Sequence, residues 1–100
     1  MTFRLIVRVE AEADLVDAAR WYENERPNLG IEFLSEARRV IHNAVANPFL
    51  YPAISRRPQA HRALTHRFPY GVFYRIRHGA VIVFAVLHAK RSDRAWQERV

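Results

Sequence analysis

Seven apolar residues, Phe33, Leu34, Ala37, Val40, Ile41, Ala44 and Val45, recur at alternating spacings of three and four. That is the period of one face of an α-helix, sustained through three turns and ended by Asn47-Pro48. Such a stripe must be buried against another part of the chain. Upstream, Leu15, Ala18, Ala19 and Tyr22 repeat the spacing from Glu12 onward, with Glu12, Asp14 and Asp17 in the first turns, where they suit the helix dipole. Pro27 stops this first helix, and Asn28-Leu29-Gly30 is the connection. So short a link predicts an antiparallel helical hairpin with one shared apolar seam. Tyr22 continues that seam, and Trp21 packs at its edge.

Around the hairpin the period changes to two. Phe3, Leu5, Val7 and Val9 alternate with Arg4, Ile6 and Arg8, which predicts an N-terminal strand. Residues 48–61 carry three prolines and no period, and are expected to form an irregular crossing loop anchored by Phe49, Leu50, Tyr51 and Ile54. Three strands are expected after it: Arg62 to Phe68, Val72 to Arg77 and Val81 to His88. Pro69-Tyr70-Gly71 separates the first two, and His78-Gly79-Ala80 makes a tight hairpin turn. The last strand is apolar on both faces, which fits a central position or cover on both sides. Ala89 to Val100 is a polar tail apart from Trp96. The order predicts an α+β fold: an N-terminal strand, an antiparallel helical hairpin, then a three-stranded antiparallel meander.

Composition narrows the function classes. At 100 residues, half of them hydrophobic, the chain is expected to be one globular domain over 1–100. With no cysteine there is no disulfide scaffold, thiolate zinc site or cysteine nucleophile. The longest apolar run, Val81 to Leu87, is far below the ~20 residues of a membrane span, and the N-terminus lacks a signal-peptide core. The expected compartment is the cytoplasm, with no membrane partner.

Charge divides the chain. Residues 1–36 hold eight acids against four arginines, whereas residues 37–92 hold no acid, nine arginines and Lys90. All five histidines fall in the acid-free stretch. A basic face of this kind attracts an anionic partner, either nucleic acid or an acidic protein. Fifteen of the sixteen bases are arginine, whose planar fork grips phosphate or carboxylate with two parallel hydrogen bonds.

No zinc-finger or metalloprotease spacing occurs, three scattered glycines build no phosphate loop, and Ser35, Ser55 and Ser92 have no nucleophile-elbow context. No metal and no cofactor is expected. What the residues leave open is metal-free phosphodiester chemistry, which needs cations around the phosphate and groups for proton transfer. Arg56, Arg57, Arg62 and Arg75 are the candidate cations, and His66 and His88 the candidate acid and base. The other reading of the same arginines is a face that binds without cleaving. Trp96, alone among polar neighbours, either pins the tail to the body or anchors a partner.

The ordered series Ala13-Asp14-Leu15, Trp21-Tyr22-Glu23, Leu29-Gly30-Ile31-Glu32-Phe33-Leu34, Asn47-Pro48, Tyr51-Pro52, Arg67-Phe68-Pro69-Tyr70-Gly71 and His88-x-x-Arg91-x-Asp93 with Trp96 resembles the ParE branch of the RelE/ParE toxins. These are the toxin halves of type II toxin–antitoxin modules, often labelled plasmid stabilisation proteins. The likeness runs from Ala13 to Arg99 and implies the fold already derived from periodicity.

The resemblance also implies a partner: a ParD-like antitoxin whose acidic C-terminal tail wraps the toxin, forming a hetero-oligomer. This assigns Leu34, Arg38, Ile41 and Val45 of the helical hairpin, with Arg67 of the following sheet region, as antitoxin-binding residues. For the target it implies two routes. RelE-like members cut messenger RNA on the ribosome, whereas ParE-like members poison DNA gyrase. The chain has a single lysine and carries Trp96 where a RelE-like tyrosine is sought, and Asn47-Pro48 and His88-x-x-Arg91 point to the ParE side. Gyrase inhibition is therefore the first expectation, with Arg75, Arg77, Arg91 and Trp96 as target-binding residues. The alternatives are a ribosome-dependent endonuclease and a non-toxic antitoxin-binding relative.

Overall fold

A computed structural model describes residues 2–100 and gives eight elements. They are β1 (Arg4–Val7), α1 (Val9–Glu25), α2 (Leu29–Ala46), β2 (Ala53–Arg56), β3 (Gln59–Leu64), β4 (Tyr70–Arg77), β5 (Ala80–His88) and α3 (Ser92–Arg99). The strands form one sheet in the order β1-β5-β4-β3-β2. All neighbours are antiparallel except β1 and β5, which run parallel because the helical hairpin crosses between one sheet edge and the other elements. The expected strand, hairpin and meander are all present.

Several boundaries differ from the sequence expectation: β3 ends at Leu64 and β4 begins at Tyr70, where strands to Phe68 and from Val72 were expected. Helix α1 begins at Val9, so the first strand ends two residues early. The stretch 48–61 is not all loop: it contains β2, and β3 starts at Gln59 where a strand was expected from Arg62. β2 is a four-residue edge strand between Pro52 and Pro58, too short and too polar to show a period. The tail is helical from Ser92 to Arg99, a helix with little apolar pattern of its own that is formed by docking.

The hairpin packs on one face of the sheet. Phe33, Ala37, Val40, Ile41 and Ala44 of α2 meet Val72, Tyr74, Val81, Val83 and Val86. Four rings close the seam, with Tyr22 4.8 Å and Phe33 5.3 Å from Phe68, and Phe33 5.0 Å from Tyr70. Tyr74 is fully buried and satisfies its hydroxyl on the Pro48 carbonyl at 2.6 Å; burial holds its pKa well above the ordinary phenol value. The hairpin turn is held by Glu23, whose carboxylate accepts the N–H groups of Asn28 and Gly30 at 3.0 Å each. Two otherwise unpaired donors at the start of α2 are satisfied this way.

Gly30 sits where the two helices come closest: a Cβ there would lie 2.5 Å from the Ala19 carbonyl oxygen. Gly30→Ala must therefore push α2 off α1, and is expected to cost about 1–3 kcal/mol in urea unfolding. A variant as stable as the parent would show that the hairpin has slack.

The second face of the sheet carries α3. Trp96, 8% exposed, lies parallel to the Phe73 ring at 6.4 Å, over Ala60, Phe84, Ala85 and Leu87. A β-bulge makes this possible. Phe73 pairs with Ala85 and Tyr74 with Val83, so Phe84 is an extra residue in β5. Phe84 and Ala85 both join the α3 face, and beyond them the alternation is inverted: Val86 turns to the hairpin. The Val86 N–H is taken up by Asp14 Oδ2 at 2.9 Å, and the same carboxylate holds Arg99 of α3 through both oxygens. From Val83 to Leu87 β5 is thus covered on both faces, as its continuous apolar run implies.

Candidate functional site

Strand register places the sheet arginines. Arg62 lies opposite Phe73, and Arg75 and Arg77 follow Phe73 at period two. All three therefore stand on the α3 face of the sheet, beyond the part that α3 covers. Ile6 and Ile82, a cross-strand pair, share this face, with Leu64 exposed at the far end of β3. Arg62 and Arg75 are half-buried and Arg77 is exposed. Among the described residues none of the three pairs with a carboxylate. The buried Nε of Arg75 has no hydrogen-bond partner there either. Positive charge held without a counter-charge on a partly apolar sheet is a ready surface for an anion.

The remaining candidates for acid–base cleavage are not assembled there. Arg56 ends β2 and Arg57 lies in the exposed turn that follows. His88 lies opposite Tyr70 and forms an edge contact with it at 5.3 Å, on the hairpin side of the sheet. His66 sits in the exposed turn after β3, where Glu36 of α2 accepts the N–H groups of His66 and Arg67. The sheet thus separates His88 from Arg62 and Arg75, and the turn that carries His66 lies beyond the end of β3, tied through its backbone to α2. The sequence could not show this, because the side each histidine takes depends on the bulge and on a turn. His61 is structural: it stacks on Tyr74 at 5.1 Å, and its Nδ1 donates to the Tyr51 carbonyl at 2.9 Å.

Of the four residues expected to contact a target, Arg75 and Arg77 share the open face. Arg91 is exposed at the N-terminus of α3, next to a cleft on the hairpin side. Trp96 is a correction. Its ring is consumed in fixing α3 to Phe73, so it pins the tail and offers a partner no surface.

The antitoxin set divides in a similar way. Ile41 is 4% exposed and belongs to the core, as its place on the apolar stripe with Val40 and Ala44 requires; it is not a surface contact. Leu34 and Val45 are half-buried against the core, and Arg38 is exposed. Arg67 donates to Glu32 at 2.7 Å and lies over the Phe68 ring at 5.2 Å. That hydrogen bond holds the Glu32 carboxyl below its ordinary pKa, with Arg26 adding to it. The contribution is complete at neutral pH and fades as the pH falls through the lowered value. Sequence reasoning missed Ile31, 66% exposed, which with Leu34, Arg38, Arg39 and His42 lines a shallow groove of about 430 Å³ on the outer side of α2. The signal was available: Ile31 lies off the helix's buried stripe.

Among the described residues no group of three or more histidines and carboxylates is placed to hold a metal ion, and no helix is long and apolar enough to cross a membrane.

A family model described as the ParE toxin of the type II toxin-antitoxin system, parDE, matches residues 5–93. The chain belongs to the ParE toxin family. Among solved structures, this ParE-family fold is similar to a chain of the chromosomal ParDE TA system from P. aeruginosa. The TM-score is 0.78 at 13% sequence identity, over 87% of this chain and 96% of that one. No curated protein matches it in sequence. The family match spans β1 to the first turn of α3, so both the basic sheet face and the hairpin groove are parts of the ParE domain.

Proposed function

We propose that this ParE-family chain is a toxin that acts by binding rather than by cleavage, with DNA gyrase as its target, and that residues 1–100 work as one domain. The observation that carries the reading is the open sheet face: Arg62, Arg75 and Arg77 without a carboxylate partner, beside Ile6 and Ile82. Such a face suits an anionic, partly apolar partner. His88 lies across the sheet from this face and His66 sits in a turn tied to α2, which removes support from the endonuclease alternative, since a general acid or base must reach the phosphate that the cations hold. Neutralisation is assigned to an acidic antitoxin tail, for which the groove of Ile31, Leu34, Arg38 and Arg39 offers apolar floor and basic rim.

The test is induced expression in a bacterial host without the antitoxin, with the DNA-damage response and pulse-labelled protein synthesis followed in one culture. The reading expects damage signalling first, with translation intact. Translation arrest first would make the ribosome the target.

A further inference from the structure

A second site lies on the other side of the sheet from the basic face. Between α1, the start of β4, the end of β5 and the N-terminus of α3 is a cleft of about 680 Å³. That is within the range of ligand sites. Residues far apart in sequence meet there: Trp21 and Tyr22 from α1, Tyr70 from β4, His88 from β5 and Arg91 after it. None of the functional assignments above uses this convergence.

One wall is aromatic. Trp21 meets Tyr22 edge-on at 5.1 Å, Tyr22 meets Tyr70 at 6.1 Å, and Tyr70 meets His88 at 5.3 Å. Trp21 is 58% exposed, so a large indole surface is left over after its own packing. The polar groups divide into spent and free. Asp14 is taken up by Arg99 and by the Val86 N–H. His88 Nδ1 accepts the Lys90 N–H at 3.1 Å, which leaves the proton of the neutral ring on Nε2 as a donor. Among the described residues Arg91 has no carboxylate partner. The cleft therefore combines a flat apolar wall with unspent donors and a cation, which matches an aromatic group next to an oxyanion.

The source of that oxyanion follows from the neighbouring charges. The α1 wall carries Asp17 at the cleft, and Glu10 lies close enough to act on Arg99, which lines it. A run of phosphates would meet these carboxylates, whereas a single carboxylate needs only the Arg91 corner. Tryptophan, tyrosine and arginine gathered in one cleft are also the residue types that dominate protein–protein binding energy.

We propose that this cleft is a protein-contact site that receives an aromatic side chain and an adjacent carboxylate from a partner, the ring against Trp21 and Tyr70 and the carboxylate on Arg91. The site lies apart from the sheet face of Arg62, Arg75 and Arg77 that carries the proposed target contact, and gives Arg91, expected from the sequence to touch the target, a different role.

The experiment is a titration of the ¹⁵N-labelled full chain with the capped dipeptide Ac-Phe-Glu-NH₂, followed by NMR. The expected result is a saturable shift of the Trp21 indole N–H, with the Trp96 indole, buried under α3, as an unmoved reference. Ac-Phe-Gln-NH₂ and the Arg91→Ala variant should each bind about tenfold more weakly. Trp21→Ala, also at an exposed position, should lose the perturbations around Tyr70 and His88. The proposal is overturned by the absence of a saturable shift, or by equal binding of the glutamine peptide. Tighter binding of adenosine monophosphate than of the acidic dipeptide would also overturn it and make the cleft a nucleotide site.

Discussion

Trp96→Ala is expected to lower the unfolding free energy by about 3–5 kcal/mol, the usual range for removing a buried aromatic ring. For a chain whose total stability is of the order of 5–15 kcal/mol this is a large part. The loss is concentrated in α3, because little else in Ser92–Arg99 is apolar: Trp96 supplies the helix's main contact with Phe73, Phe84 and Leu87. Arg99 remains tied to Asp14, and Arg8 donates to the Arg99 carbonyl at 3.1 Å, so the end of the helix stays tethered while its centre lifts. Urea unfolding followed by far-UV circular dichroism checks the magnitude. A loss below about 1 kcal/mol would mean that the ring is not fixing the tail. It would restore Trp96 as a partner contact.

The second large effect concerns function. Replacing Arg75 and Arg77 together with glutamine should reduce target affinity by about two orders of magnitude. Induced cells should then grow, while the folded protein still binds its antitoxin. The separation of effects follows from geometry: both arginines lie on the α3 face, whereas the groove assigned to the antitoxin is on the outer side of α2. Neither arginine has a carboxylate partner within the fold, so neutralising them breaks no ion pair. Retained growth arrest in the double variant would remove the sheet face from the mechanism. Loss of antitoxin binding in parallel would show that the two surfaces are not separate.

How far the sequence alone leads depends on the element. The hairpin is legible because Phe33 to Val45 repeats one period over three turns, and β5 because an uninterrupted apolar run needs cover on both faces. β2 and α3 are not legible. The first is a short edge strand between prolines, and the second is held by one tryptophan and one ion pair from 85 residues away.

The candidate site was half visible. The period-two spacing of Arg75 and Arg77 puts them on a common face, but that Arg62 joins them follows only from its register with Phe73. The bulge at Phe84 sends His88 to the opposite side from the one an unbroken alternation would give, and a local pattern carries no sign of it. Ile41 is the reverse case. It lies on the buried stripe of α2, and the same periodicity that identified the helix already assigned it to the core.

The central claim is that the chain disables its target by occupancy of the basic face, with gyrase as that target. The most direct measurement is supercoiling of relaxed plasmid by purified gyrase in the presence of the purified chain, beside messenger RNA integrity in a translating extract given the same protein. The account predicts inhibited supercoiling that antitoxin reverses and that the Arg75→Gln, Arg77→Gln variant lacks, with intact messenger RNA. Unimpaired gyrase together with cleaved messenger RNA would contradict it.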